Sequence, residues 1–158
     1  TAQAGLRVGD EVTISYVDAR APVAERRQLL EGHYGFRCGC ARCVKEGRAD
    51  LKRRARAEVS PRARSHARIL DRQVAKITIR DTTSRWGSCS SKASLSFSWR
   101  LVLAPEPVLD YVCAHEAAHL VEMNHSPAFW RLVGDLVGDW EPHRRWLKRH
   151  GAGLHRFG

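Results

Sequence analysis

The spacing of apolar residues changes twice along the chain, from a helical period to an extended one and back. From residue 49 to about 70, apolar side chains recur every three or four positions, which predicts a helix broken or kinked at Pro61. Strict alternation at 75–80 and again at 94–103 predicts two strands of one sheet. A polar loop, 81–92, joins the two strands.

The C-terminal third returns to a helical period. Residues 108–119 are predicted to form an apolar helix that follows two prolines, and further helices are expected near 128–136 and 141–150. Two strands followed by two or three helices indicate an α+β fold with a short antiparallel sheet.

The N-terminal segment has a pattern of its own. Residues 10–18 alternate like a short strand, and 23–31 are predicted to be helical between Pro22 and Gly32. A cysteine-rich stretch closes this segment, and the best seam with the rest of the chain lies near residues 44–60. The first residue is Thr rather than Met, so we expect the chain either to begin inside a longer product or to follow processing.

Cysteine usage indicates a metal rather than a disulfide framework. The chain has 5 cysteines, and three of them crowd together as Cys38, Cys40 and Cys43, a spacing typical of metal ligands. This favours a reducing compartment, and we expect a cytoplasmic location. No apolar run approaches the about 20 residues of a membrane span, so no membrane partner is expected.

The positive charge is concentrated in one segment of an otherwise balanced chain. Lys and Arg number 27 against 17 Asp and Glu, a net charge of +10, and residues 51–100 hold 13 of the basic and 3 of the acidic side chains. At 43% hydrophobic residues the chain is too apolar for a disordered basic tail. The basic helix at 51–72 predicts a contact with nucleic-acid phosphates, but a solvated helix face accounts for the same charges.

The residues that carry chemistry are His115, Glu116 and His119, all on the predicted helix at 108–119. Residues four apart stand on one face of an α-helix, so His115 and His119 can present two imidazoles to one cation while Glu116 reaches a water beside it. The helix around them is apolar, so these side chains are not ordinary surface residues. The alternative is a pair of core histidines satisfied by hydrogen bonds.

A catalytic zinc needs a third protein ligand and an open position. Glu122 falls at helical spacing but lies about 10 Å along the helix axis from His115, too far to share one ion. His125 is the better candidate, because Asn124 tolerates the left-handed conformation that ends a helix and would turn His125 back toward the metal. The predicted zinc ligands are therefore His115, His119 and His125.

This ligand set predicts hydrolysis of a peptide bond. Zinc on neutral imidazoles would activate a water and polarise the carbonyl, while Glu116 takes the water's proton and delivers it to the leaving amine. We expect a peptide or protein substrate to pair with the strand at 94–103 if that strand forms a sheet edge. Its alternation also fits plain core packing.

Residues from about 51 to 158 closely resemble the YgjP-like metallopeptidases, relatives of the SprT and WLM zinc proteases. The resemblance implies a compact zincin-like fold, zinc on His115, His119 and His125, and Glu116 as the catalytic residue. The motifs that carry it are Arg85-Trp-Gly-Ser-Cys-Ser90, Leu95-Ser-Phe-Ser-Trp-Arg-Leu101, Tyr111-Val-Cys-Ala-His-Glu-Ala-Ala-His119, Asn124-His-Ser126 with Phe129-Trp130, and Trp146-Leu147.

The first 47 residues resemble a different family, the C-terminal end of a SET methyltransferase domain with its post-SET cysteine knuckle. The matching motifs are Gly9–Asp18, Glu25–Leu29 and Tyr34–Cys43. The two resemblances predict a SET-like segment at 1–47 and a metallopeptidase domain at 48–158. Whether the knuckle holds a second zinc stays open.

Three functions therefore compete. They are a zinc metallopeptidase, a basic nucleic-acid-associated zinc protein and a truncated SET-type methyltransferase. The histidine set with its neighbouring glutamate favours the metallopeptidase, because SET segments that build the methyl-donor pocket are not present in this sequence.

Overall fold

The computed structural model describes residues 21, 22, 24, 25, 28, 32, 41–82 and 84–155. The chain divides into two compact units, Thr1–Gly47 and Arg48–Gly158. The predicted strand at 10–18 and the side chains of the cysteine knuckle lie outside the described residues, and the predicted helix at 23–31 is described at scattered positions only.

Among the described elements, one long helix precedes a small sheet and the other helices follow it, which makes an α+β fold, as predicted. The elements are α1 (Ala41–Ile69), β1 (Lys76–Arg80), β2 (Gly87–Cys89), β3 (Ser94–Ser98), a 3₁₀ helix (Trp99–Leu103), α2 (Glu106–Ala118), α3 (Pro127–Val137) and α4 (Glu141–His155). The three helices predicted after residue 107 are confirmed. Among the described residues, no helix is both long enough and apolar enough to span a membrane.

Helix α1 packs on the core through small residues spaced four apart. Ala55, Val59 and Ala63 are fully buried, and Ala67 is nearly so. The predicted helix at 49–70 is therefore confirmed. Of the two effects expected at Pro61, a break or a kink, the break is wrong, because α1 runs through Pro61 as one element. Burial of this continuous apolar face stabilises the helix more than the loss of one backbone donor destabilises it.

The sheet has the strand order β1-β3-β2 and is mixed. Strand β1 pairs with β3 in parallel, with Ile77 opposite Leu95, and β2 pairs with β3 antiparallel, with Ser88 opposite Ser96. The prediction of an antiparallel sheet is therefore wrong for β1 and β3. The polar loop at 81–92 itself contains β2, so the chain reverses direction twice before β3 returns beside β1.

The second alternating run is extended only as far as Ser98, and the rest of it forms the 3₁₀ helix. The side chain of Ser98 accepts a hydrogen bond from the Arg100 backbone N–H, which starts the 3₁₀ turn. Arg100 is itself buried and pairs with Asp81 at 2.5 Å. The prediction of one strand over 94–103 is wrong at its end. The alternation of apolar and polar residues continues through 99–103, but there the apolar side chains of Trp99 and Leu101 are buried by a capped turn rather than by a strand.

Helix α2 is the centre of the fold and carries the predicted chemistry. It packs against α3, α4, β2 and the 3₁₀ helix. Most of its residues are buried on every side, including Val112, Cys113 and Ala117. Two polar links tie it to α1: the His66 Nε2 atom lies 2.9 Å from Asp110, and Arg62 pairs with Glu106. The predicted motif therefore lies on a helix that is packed against several other elements.

Candidate metal centre and active site

The end of α2 presents two histidines on one face. His115 lies in the last turn, and His119 follows as the C-cap residue with nearly helical dihedrals, φ −65° and ψ −15°. The His119 backbone N–H still bonds to the His115 carbonyl at 3.4 Å. The helical spacing therefore extends one residue beyond the helix, and both rings point to the same side.

The chain turns immediately after His119, earlier than the sequence suggests. The N–H groups of Leu120 and Val121 bond to the carbonyls of Ala117 and Ala118, each at 3.0 Å, and these short bonds close the helix. Asn124 has no positive φ, so the predicted left-handed residue there is wrong. The tight turns that follow α2 reverse the chain without one.

The turn brings His125 to the two helical histidines. Each of the three histidines, His115, His119 and His125, offers one ring nitrogen, and these three atoms lie within 4.8 Å of one another. The Nε2 atoms of His115 and His125 are 3.1 Å apart. Tetrahedral coordination at zinc–nitrogen distances of about 2.0–2.1 Å places ligand nitrogens about 3.3 Å from each other. The Nε2 atoms of His115 and His125 are therefore at the spacing of zinc ligands, and a ring nitrogen of His119 lies within 4.8 Å of both.

The orientation and protonation of the rings also suit a metal. The Nδ1–H of His119 donates to the Glu122 carbonyl at 3.0 Å, which leaves its other nitrogen free to bind. Burial, followed by the neighbouring His119 and His125, lowers the pKa of His115 to about 3. His115 is therefore neutral at physiological pH, with a lone pair available. Glu122 does not join the cluster, as the sequence predicted.

An aromatic platform holds the three histidine rings. Phe129 is fully buried, and its ring centroid lies 4.8 Å from that of His115, 4.4 Å from that of His119 and 4.8 Å from that of His125. Trp130 stacks on His125 at 5.6 Å. Ser126 starts α3 by accepting a hydrogen bond from the Phe129 N–H at 3.2 Å, which sets the platform directly after the third histidine. These contacts restrict ring rotation and exclude water from one side.

Glu116 lies beside the histidines and is only 5% exposed. Burial raises the pKa of its carboxyl group to about 8, and Arg85 opposes that rise. The side chain rests on the backbone of Gly87: a Cβ atom there would lie 2.5 Å from the Glu116 Oε1 atom. Only glycine leaves room for the carboxyl group at this place on β2.

Cys89 stands on the same strand but outside the histidine cluster. Burial and the nearby Glu116 raise the pKa of its thiol to about 11, so the thiol stays protonated.

A pocket of about 350 Å³ opens beside the candidate centre. It is lined by His115, Glu116 and Tyr111 of α2, by Gly87 of β2, and by residues of α4. Strand β3, the candidate from the sequence for substrate pairing, does not fit this role, because it is paired on both sides in the sheet. Strand β2 is at the edge and packs against α2.

The sequence predicted the three histidines and Glu116, and its motifs include Gly87 and Phe129, but it did not show what these two residues contact. The close approach of Gly87 to Glu116 was not foreseen, although a lone glycine in the polar loop is a recognised sign of close backbone approach. The contacts of Phe129 with all three rings and the α4 wall of the pocket had no local signal.

Comparisons with known proteins agree with both resemblances. The family model described as "YgjP-like, metallopeptidase domain" matches residues 4–150, and so extends over the N-terminal segment as well. A SET and MYND domain-containing protein of Dictyostelium discoideum is 45% identical over 41 residues, 26% of this chain and 12% of that protein. The histone-lysine N-methyltransferase set5 of Schizosaccharomyces pombe is 31% identical over 74 residues, 47% of this chain and 21% of that protein. No solved structure matches.

Proposed function

The chain belongs to the YgjP-like metallopeptidase family, and on that premise we propose that it is a zinc-dependent peptidase with His115, His119 and His125 as metal ligands and Glu116 as general base. The observation that carries this proposal is the convergence of three imidazoles at ligand spacing beside a buried carboxyl group. The curated relatives support methyl transfer less, because the matched segments span only 12% and 21% of their lengths.

The chemistry divides between the ion and the chain. Zinc bound by the three histidines supplies Lewis acidity, which acidifies water and polarises a carbonyl group. Glu116 removes a proton from the attacking water and returns it to the leaving amine. Burial raises the pKa of its carboxyl group, which makes the carboxylate a stronger proton acceptor.

Strand β2 is the proposed docking edge for the substrate. In the described part of the sheet it pairs with β3 alone, so its outer edge is available to an extended peptide. Gly87 on this strand touches Glu116. A peptide paired there would pass beside the general base.

Metal analysis with matched activity assays tests the proposal. We expect the purified chain to bind zinc tightly and His125→Ala to lose it, whereas His150→Ala, at an exposed position on α4, keeps it. Glu116→Gln should keep zinc and lose about 10²–10⁴-fold in peptide cleavage. Zinc retained in full by His125→Ala, or parental cleavage by Glu116→Gln, would contradict the assignment.

The exposed arginines of α1 favour a second candidate, contact with nucleic acid. Arg54 and Arg68 are exposed on this helix, in the segment that holds the net positive charge of the chain. If they contact phosphates, replacing both with Gln should weaken binding to a short DNA duplex and flatten its salt dependence by about one unit of slope per lost contact. Arg149→Gln on α4 is the control, and equal loss from it would indicate nonspecific charge attraction.

Two further proposals concern the location of the protein and a second metal. We propose a cytoplasmic location, and a second metal on Cys38, Cys40 and Cys43 that zinc counting in a triple Cys→Ser variant would test. If the triple Cys→Ser variant loses a zinc ion other than the one that His125→Ala loses, the second site is supported.

A further inference from the structure

Two basic side chains of α4 face the pocket beside the candidate active site. Arg144 and Lys148 are four residues apart, so they stand on one face of the helix, and both line the pocket together with His115 and Glu116. Both side chains are exposed to solvent. Neither has a part in metal binding or in proton transfer.

Arg144 is held in place by aromatic rings. Its Cζ atom lies 5.0 Å from the centroid of the Trp130 ring and 6.0 Å from that of Trp140. The two rings stack on each other at 4.2 Å, and Trp130 also stacks on His125. The guanidinium is therefore oriented by the same tryptophan that packs on the candidate metal ligands. Because its side chain is already restricted, Arg144 loses little side-chain entropy when it binds a ligand.

The two charges have no acidic partner within the described residues. Other arginines of this unit are paired, such as Arg62 with Glu58 and Glu106. The carboxyl group that lines the pocket, Glu116, is influenced by Arg85 rather than by Arg144 or Lys148. The pocket thus combines an apolar surface with two neighbouring positive charges, and no acidic side chain among the described residues neutralises them.

We propose that Arg144 and Lys148 bind a carboxylate of the substrate, so that the protein selects peptides with a carboxylate close to the scissile bond. This inference rests on the proposed peptidase function. A guanidinium binds a carboxylate through two parallel hydrogen bonds, and the neighbouring ammonium adds a third donor. Trp86, Val112 and Leu147 on the pocket wall contact the apolar stem of the bound residue. The carboxylate comes from an acidic side chain or from a free C-terminus.

Binding to the zinc-loaded Glu116→Gln variant tests this without turnover. The probes are synthetic peptides in which one Glu or one Gln occupies each position in turn, and a second set with a free or an amidated C-terminus. We expect at least about tenfold tighter binding of one carboxylate form over its neutral partner, measured by NMR titration. The Glu and Gln set reports a side-chain carboxylate, and the terminal set reports a C-terminal one.

Variants of the two basic residues complete the experiment. Arg144→Gln with Lys148→Gln should abolish the preference. Arg144→Glu with Lys148→Glu should replace it with a preference for peptides that carry Lys in place of that Glu or Gln. Arg145→Gln, outside the pocket on the same helix, should leave it unchanged. Zinc content shows whether the site stays intact in each variant.

Carboxylate and neutral peptides that bind within about twofold of each other would overturn the inference, as would a preference that survives the double Gln substitution. Failure of the proposed function has a different signature: the parent then cleaves none of the peptides, while the binding preference of the pocket is still measured directly.

Discussion

The contact between Gly87 and Glu116 makes the most direct prediction about catalysis. A Cβ atom at position 87 would lie 2.5 Å from Oε1, 2.6 Å from Cγ and 2.7 Å from Cδ of Glu116. Ordinary contact begins at 3.4 Å, so Gly87→Ala must push the carboxyl group away by about 1 Å. The side chain is 5% exposed and cannot move freely.

The expected result is a loss of rate with the metal retained. A displacement of about 1 Å in a catalytic group costs about 10²-fold in rate, so kcat/KM for a cleaved peptide should fall by that factor. The Cβ contacts nearest to Gly87 are all with Glu116 and none is with a histidine, so zinc content should stay at the parental level. Crowding a packed site should also lower the free energy of unfolding by about 1–3 kcal/mol.

The matched control is Gly153→Ala, where a Cβ atom meets nothing within 4 Å on helix α4. It should keep parental activity and gain slightly in stability. Parental kcat/KM in Gly87→Ala would refute the argument that β2 positions the general base. Loss of zinc would show that the substitution acts on the metal site instead.

Three further predictions concern stability and metal binding. The hydrogen bond from His66 lowers the pKa of Asp110, so its carboxylate stabilises the folded state above the ordinary value of 3.8 and loses that effect as the pH falls through the lowered value. In urea unfolding of the metal-free protein, Asp110→Asn should therefore differ most from the parent near neutral pH and converge with it in acid; an unchanged gap would contradict this. Leu101→Ala should cost about 2–5 kcal/mol because the side chain is fully buried, against little for the exposed Val121→Ala. Zinc at about a hundred times its Kd should stabilise the parent by about 2.7 kcal/mol and leave His115→Ala unchanged in a thermal shift assay.

The sequence by itself determined the helices and the chemistry that depends on local spacing. The apolar period located α1, α2, α3 and α4 because it is set by helical geometry alone. The distance of four residues between His115 and His119 fixes their shared face in the same way. Glu116 belongs to this local pattern too, since it is the next residue along the chain.

Only the tertiary structure decided how the sheet pairs and what surrounds the site. The parallel pairing of β1 with β3 depends on a third strand, β2, inside the polar loop. The 3₁₀ turn after Ser98 buries Arg100, which forms an ion pair with Asp81. The glycine that holds Glu116, the ring under the histidines and the basic wall of the pocket come from residues far apart in sequence. Periodicity describes which face of an element is buried, but not which distant residue meets it there, because that choice is made by packing of the whole unit.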